Sequence, residues 1–149
     1  MMYKFSLEPV LKHRKLLEQD LQKDFAALKR QLLVERERLS DFERVRDRFS
    51  GELQEKQVKS ISVSDILLYT DFLQQVSKEI EKQSEKIREA EKSVDQKREE
   101  LIGAMKNRKT IDRLREKRLK AHLQNLAKKE QNLMNEAAIN IFNKKKYPS

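Results

Sequence analysis

Residues 59–65 read Lys59-Ser60-Ile61-Ser62-Val63-Ser64-Asp65, and this stretch separates two long heptad patterns. Its serines and β-branched residues favour a break in a helix. Ser62 and Asp65 have the spacing of a capping box that starts a new helix. Two helices joined by a loop of about five to eight residues can lie side by side only if they are antiparallel. The stretch therefore predicts a helical hairpin.

The sequence before the break repeats with a period of 3.5 residues. Alternate steps of four and three from Leu7 to Leu53 pass fourteen positions, of which ten are apolar. This period is typical of a left-handed coiled coil. The four exceptions have long side chains, which we expect to lie along the seam with their polar ends in water: Arg14, Glu18, Glu35 and Arg46.

A second seam starts at Ile66 and continues to Ile111, where only Gln83, Lys97 and Arg108 interrupt it. After a stutter, apolar residues resume from Leu119 to Ile141. The pattern predicts an all-α chain whose two long helices form an antiparallel coiled-coil hairpin.

The predicted boundaries make the second helix the longer one. We expect a single coiled-coil domain over residues 1–149, with its elements at about 6–58 (first helix), 59–64 (turn), 65–142 (second helix) and 143–149 (basic tail). Residues beyond about 115 should then have no partner on the first helix, because the first helix is too short to reach them. A helix left alone in this way is marginal in water, so it favours a binding partner.

Charge is distributed unevenly along the chain. Residues 1–103 contain 21 Lys and Arg against 21 Asp and Glu, whereas residues 104–149 contain 13 against 4, so the net charge of +9 lies in the last third. This asymmetry indicates a neutral, self-paired body and a basic end that needs an acidic partner.

Composition argues against catalysis and against a membrane span. The chain has no cysteine, and its two glycines stand apart, so it offers neither a thiolate site nor a phosphate-binding glycine loop. His13 and His122 lack a third ligand for a metal. We therefore expect no enzyme activity, no cofactor and no metal. No purely apolar run is longer than the four residues Ile66 to Tyr69, which is far too short to cross a bilayer.

Three stretches are informative through their order and distances: FSLEPVLKHR at residues 5–14, YTDFLQQV at 69–76 with Ile80, and LIGAMKNRK at 101–109 together with LREK at 114–117. Together they resemble the FliJ family of the flagellar type III export apparatus. The resemblance covers nearly the whole chain. It implies a coiled-coil stalk that promotes assembly and activity of the export ATPase hexamer, contacts the cytoplasmic domain of the export gate and handles export chaperones. It also implies a cytoplasmic protein, peripherally associated with the inner-membrane export apparatus.

The basic end supplies the candidate residues for ATPase binding. It comprises seven cations with two leucines beside them, which would enter an acidic channel: Arg108, Lys109, Arg113, Arg115, Lys117, Arg118, Lys120, Leu119 and Leu123. The alternative interpretation is an ordinary solvated helix face.

The turn end supplies the candidates for gate binding. It comprises apolar residues in the last turns before the break and the first turns after it: Phe42, Val45, Phe49, Tyr69, Phe72 and Val76. A two-stranded seam cannot enclose all of them, so Phe72 in particular is expected at the surface. The alternative interpretation is additional core at a widened end of the hairpin.

Three other functions fit parts of the pattern. The equivalent stalk of a virulence-type injectisome would share this architecture and charge. A basic coiled coil that binds nucleic acid is a second alternative, although its basic region would normally precede the zipper. A long structural homodimer is the third, and the capped break argues against it.

Overall fold

The structure, a computed structural model, describes residues 3–146. It contains two α-helices, α1 at Glu8–Val58 and α2 at Val63–Lys146, and no strand within the described residues. The helices are 51 and 84 residues long, so the prediction of an all-α chain with a longer second helix is confirmed. Neither helix, in the described part of the chain, has a window apolar enough to span a membrane.

Three of the four helix ends differ slightly from the predicted ones, and α2 begins at Val63 rather than at residue 65. α1 begins at Glu8 rather than near Ser6, and α2 continues through residues 143–146, which the sequence pattern placed in a tail. Lys144, Lys145 and Lys146 occupy the last turn of α2, where cations interact favourably with the helix dipole. The remainder of the predicted tail, residues 147–149, lies outside the described residues.

The turn occupies residues 59–62 and ends α1 without a glycine. The Lys59 N–H donates to the Lys56 carbonyl at 3.2 Å, and Ser60 adopts a positive φ of 68°. The left-handed conformation is common where a helix terminates. The Asp65 N–H donates to the Ser62 hydroxyl at 3.2 Å, which confirms Ser62 as the cap of α2.

The chain divides into two compact units. The turn unit is Gln19–Ile102, and the terminal unit combines Met1–Glu18 with Gly103–Ser149. In the turn unit, contacts that join residue 36 to 91 and residue 49 to 72 show that its helical segments are antiparallel. Its core is built from seam positions of both helices: Leu32, Ile87 and Val94 are buried, with Phe25, Leu28, Leu39 and Ala90 packed against them.

One polar layer crosses this core. Glu35 and Gln83 interrupt the two seams and are both buried. Gln83 Nε2 donates to Glu35 Oε2 at 2.5 Å and to the Glu35 carbonyl at 2.8 Å. The expectation that Glu35 keeps its charge in water is therefore wrong. Its carboxylate is buried because the amide of Gln83, on the opposite helix, satisfies it.

The polar layer of Glu35 and Gln83 should affect how the stability of the fold depends on pH. The hydrogen bond from Gln83 lowers the pKa of Glu35 from its ordinary value of 4.5, against the opposing effect of burial. A lowered folded-state pKa means that the carboxylate stabilises the fold above pH 4.5 and loses this contribution as the pH falls through the folded value. We expect the fall in thermal midpoint between pH 7 and pH 3 to be smaller in Gln83→Leu than in the wild type. The control is Gln74→Leu, which changes an exposed glutamine. An equal fall in thermal midpoint in all three proteins would contradict the prediction.

The terminal unit is held by a different set of contacts. Phe5, Leu11 and Ala104 are buried. Glu8 pairs with Arg115 at 3.3 Å, and Glu18 pairs with Arg108 at 2.5 Å, so the two segments of this unit are antiparallel as well.

The pairing in the terminal unit stops before α2 does. The rings of Tyr3 and His122 lie 5.0 Å apart, and His122 is half-buried. From residue 123 to residue 146 every side chain of α2 is exposed. The predicted unpaired stretch of the second helix is therefore present, but it begins near residue 123 rather than 115, because Tyr3, which precedes α1, still contacts His122. At about 1.5 Å per residue the stretch is roughly 36 Å long.

Candidate functional site

The structure divides the basic end into two groups. Arg108, Arg115 and Arg118 contact the segment that precedes and begins α1. Arg118 lies over the Phe5 ring at 5.6 Å and donates to the Ser6 hydroxyl at 3.0 Å. These three guanidinium groups are therefore engaged within the terminal unit, and they have less freedom to meet a partner.

Arg108 is the most strongly engaged of the three. Its Nε donates to Glu18 Oε2 at 2.5 Å, and its Nη1 donates to Asp112 Oδ2 at 3.0 Å. The hydrogen bond to Glu18, followed by that to Asp112, raises the pKa of Arg108 above its ordinary value. Glu18 is buried as a result, which corrects the expectation that its charge stays in water. The two seam exceptions, Glu18 and Arg108, satisfy one another.

The remaining cations of the basic end are exposed and make no ion pair within residues 3–146. They are Lys109, Arg113, Lys117 and Lys120, whose spacing of four, four and three places them on one side of α2. Lys106 lies on the same side three residues earlier and is also exposed. We call this row of five cations, Lys106, Lys109, Arg113, Lys117 and Lys120, the basic ridge.

The sequence analysis missed Lys106 because it took the net charge as the signal. The helical spacing of 106, 109, 113, 117 and 120 would have found it. Such a row of unpaired cations produces a positive potential that attracts an acidic surface. Leu119 and Leu123 of the basic end are 39% and 56% exposed, so apolar surface lies next to the ridge.

The turn end contains both core and surface residues. Val76 is buried, while Phe42, Val45, Phe49 and Tyr69 are half-buried. Phe72 is 41% exposed, and its ring lies 4.6 Å from that of Phe49. Val76 therefore packs in the core, whereas Phe72 presents apolar surface.

A shallow apolar groove runs beside Phe72. It is lined by Phe49, Leu68, Tyr69 and Phe72. Leu68 was not predicted, although it lies off the 66, 69, 73 seam and an apolar residue off the seam is a signal of exposed surface. Lys56 Nζ donates to the Tyr69 hydroxyl at 2.7 Å, and this hydrogen bond raises the pKa of Lys56. The hydrogen bond orients Tyr69 at the edge of the groove.

The described residues contain no group of three His, Cys, Asp or Glu side chains placed to hold a metal. What they provide is two surfaces: the basic ridge on α2 in the terminal unit and an apolar groove in the turn unit. A two-helix coiled coil with such surfaces is typical of the class of interaction proteins, which bind other proteins through helix faces.

The chain belongs to the FliJ family: the family model described as flagellar FliJ protein matches residues 3–147. This confirms the resemblance seen in the sequence and associates the chain with type III protein export. The fold is also similar to the solved structure of a proposed YscO homolog from Chlamydia trachomatis. The TM-score is 0.62 at 21% identity, over 99% of this chain and 100% of the other. A search of curated proteins found no significant match.

Proposed function

We propose that this chain is a non-enzymatic central stalk of the flagellar type III export apparatus, which binds the export ATPase ring and promotes its assembly and activity. The observation that carries the proposal is the basic ridge, because five unpaired cations stand in a row on a helix whose following residues are uncovered. A stalk must insert an elongated, rigid element into a ring. Complementary charge would guide that docking and set its register more than its affinity.

The turn end is the part that we assign to the cytoplasmic domain of the export gate. The groove beside Phe72 offers aromatic and aliphatic surface, which is the usual composition of an interface centre. Export chaperones are proposed as further partners on the family resemblance. The protein would act on the cytoplasmic side of the inner membrane, peripherally attached through these partners.

The test is the ATPase rate and hexamer fraction of the cognate export ATPase with and without this protein. We expect the wild type to raise both. The variant Lys109→Glu/Arg113→Glu/Lys117→Glu should need on the order of tenfold more protein for the same effect, because three attractive charges become repulsive. None of the three side chains makes an ion pair in the described structure, so the variant should keep the helical content and thermal midpoint of the wild type.

A matched control changes the same charges elsewhere. Lys23→Glu/Arg30→Glu/Lys92→Glu replaces two exposed lysines and one exposed arginine of the turn unit, with the same change in net charge. This control should stimulate the ATPase like the wild type. Equal losses of ATPase stimulation in the two triple variants would show that net charge, and not the basic ridge, is responsible for the stimulation. A wild type that leaves the ATPase unchanged but binds DNA or RNA in a salt-sensitive way would favour the nucleic-acid alternative.

A further inference from the structure

An apolar stripe begins beside the last residues of the basic ridge and continues along the uncovered part of α2. Its members recur at helical spacing between residues 119 and 141, so they share one side of the helix: Leu119, Leu123, Leu126, Leu133, Met134, Ala137 and Ile141. Leu133 and Met134 are 64% and 69% exposed. From Leu123 onward no described part of the chain covers the stripe, and an uncovered face of this length favours a partner.

Glu130 interrupts the stripe at its centre. At about 100° per residue, Glu130 lies within about 20° of the directions of Leu119 and Ala137, on the midline of the apolar face. Its carboxylate makes no hydrogen bond or ion pair within residues 3–146. While it is exposed to water, this unpaired carboxylate has little effect on the free energy of the protein. Any partner that covers the stripe takes Glu130 out of water, and an isolated buried carboxylate is very unfavourable unless a cation meets it.

The carboxylate of Glu130 disfavours two possible binding partners of the stripe, a second copy of the chain and a lipid surface. Glu130 is the midpoint between residues 119 and 141, so two copies packed antiparallel along the stripe would bring Glu130 against Glu130. Parallel copies in register would do the same. Residues 119–146 also carry six lysines against two glutamates, which adds repulsion between copies. A lipid surface would press the same carboxylate towards the acyl chains.

We infer that the apolar stripe docks in an apolar protein groove that presents a Lys or Arg side chain opposite Glu130 and carboxylates along its rim. The rim carboxylates would meet Lys120 and Lys129, which flank the stripe on its two sides. The inference rests on the proposed function, because it takes the groove to belong to the export ATPase ring. Glu130 is then a specificity-determining residue: it sets the register at which the helix docks.

The chain contains a matched pair for the test. Glu136 is also exposed and also without an ion pair in the described structure, but it lies about 120° away from Glu130 around the helix, off the stripe. Glu130→Lys and Glu136→Lys therefore make the same change in charge on the same uncovered helix. Neither should alter the thermal midpoint, since neither side chain supports the fold.

The experiment is the dissociation constant of the full-length chain for the cognate export ATPase, measured for the wild type and both variants. We expect Glu130→Lys to weaken binding at least about tenfold, because a cation would face a cation in a desolvated groove. Glu136→Lys should stay within about twofold of the wild type. Glu130→Gln should fall between the wild type and Glu130→Lys, since the amide keeps the size but not the charge.

The possible failures are distinguishable. Equal effects of Glu130→Lys and Glu136→Lys, with a wild type that binds, would overturn the inference and leave the proposed stalk function standing. If the wild type has no affinity for the ATPase, both the inference and the proposed stalk function are wrong. Two other outcomes would also overturn the inference. Self-association of the wild type in sedimentation that changes in Glu130→Lys would favour a second copy as the partner. Binding to phosphatidylglycerol vesicles that is stronger for Glu130→Lys than for the wild type would favour a lipid surface.

Discussion

Leu11→Ala is expected to lower the free energy of unfolding by about 2–5 kcal/mol, the range for truncating a large aliphatic side chain in a closed core. Leu11 lies in the terminal unit at 0% exposure, the largest fully buried side chain among the described residues. A two-helix protein has few such positions, because most seam residues keep one edge in water. The cavity left by alanine cannot be filled by neighbours that are themselves on a narrow seam.

The matched control is Leu16→Ala, five residues later on α1. Leu16 is 60% exposed, so its truncation should change the free energy of unfolding by no more than about 0.5 kcal/mol. Urea unfolding followed by circular dichroism at 222 nm measures both variants. Equal destabilisation by the two substitutions would mean that Leu11 does not occupy a closed core, and the packing of the terminal unit would need revision.

Arg108→Ala is expected to produce the second large loss of stability. Without the guanidinium group, the buried Glu18 carboxylate keeps no partner and also lies near Asp112, which Arg108 bridges to it. An unpaired charge in a buried position costs far more than the loss of an exposed ion pair. We expect a clear fall in thermal midpoint at pH 7, because the carboxylate of Glu18 is then buried without a cation.

Two comparisons isolate this effect. Arg113→Ala removes the same type of side chain from the same helix, but Arg113 is exposed and has no ion pair in the described structure, so the midpoint should not move. Glu18→Leu/Arg108→Leu removes both charges from the seam and should recover most of the stability lost in Arg108→Ala. A double variant as unstable as Arg108→Ala would argue that the apolar replacements do not fit the seam, and a stable Arg108→Ala would refute the burial of Glu18.

The contrast between Arg108 and Arg113 also separates stability from function. Arg108 should matter for folding, whereas Arg113, on the basic ridge, should matter for binding the proposed ATPase partner. A charge map along the sequence treats these two arginines alike. They differ because helix rotation places Arg108 on the seam and Arg113 on the outside.

Several elements of the fold followed from local patterns. The 3.5-residue period, the serine-rich break and the cap at Ser62 depend on neighbouring residues, and each is present in the structure. The uncovered end of α2 followed from helix lengths alone. The family was also recognisable, because the order and distances of three stretches identify it even though each stretch is weak individually.

The polar positions of the two seams were where local patterns failed. Period alone shows that Glu18, Glu35, Gln83 and Arg108 lie on seams, but not which of them face one another. That depends on the register between helices, which the turn and the packed apolar side chains determine together. Pairs from opposite helices satisfy each other's hydrogen bonds and can therefore be buried, whereas each residue considered alone would be expected to remain in water.

The sequence by itself thus determined two helices, their antiparallel order, the surplus length of the second and the location of the surplus charge, because all of these depend on spacing along one chain. Only the tertiary structure decided which cations are used within the protein and which are free for a partner. That distinction depends on the distances between side chains from different helices, such as Arg108 to Glu18 and Arg115 to Glu8, and such distances exist only once the helices have packed.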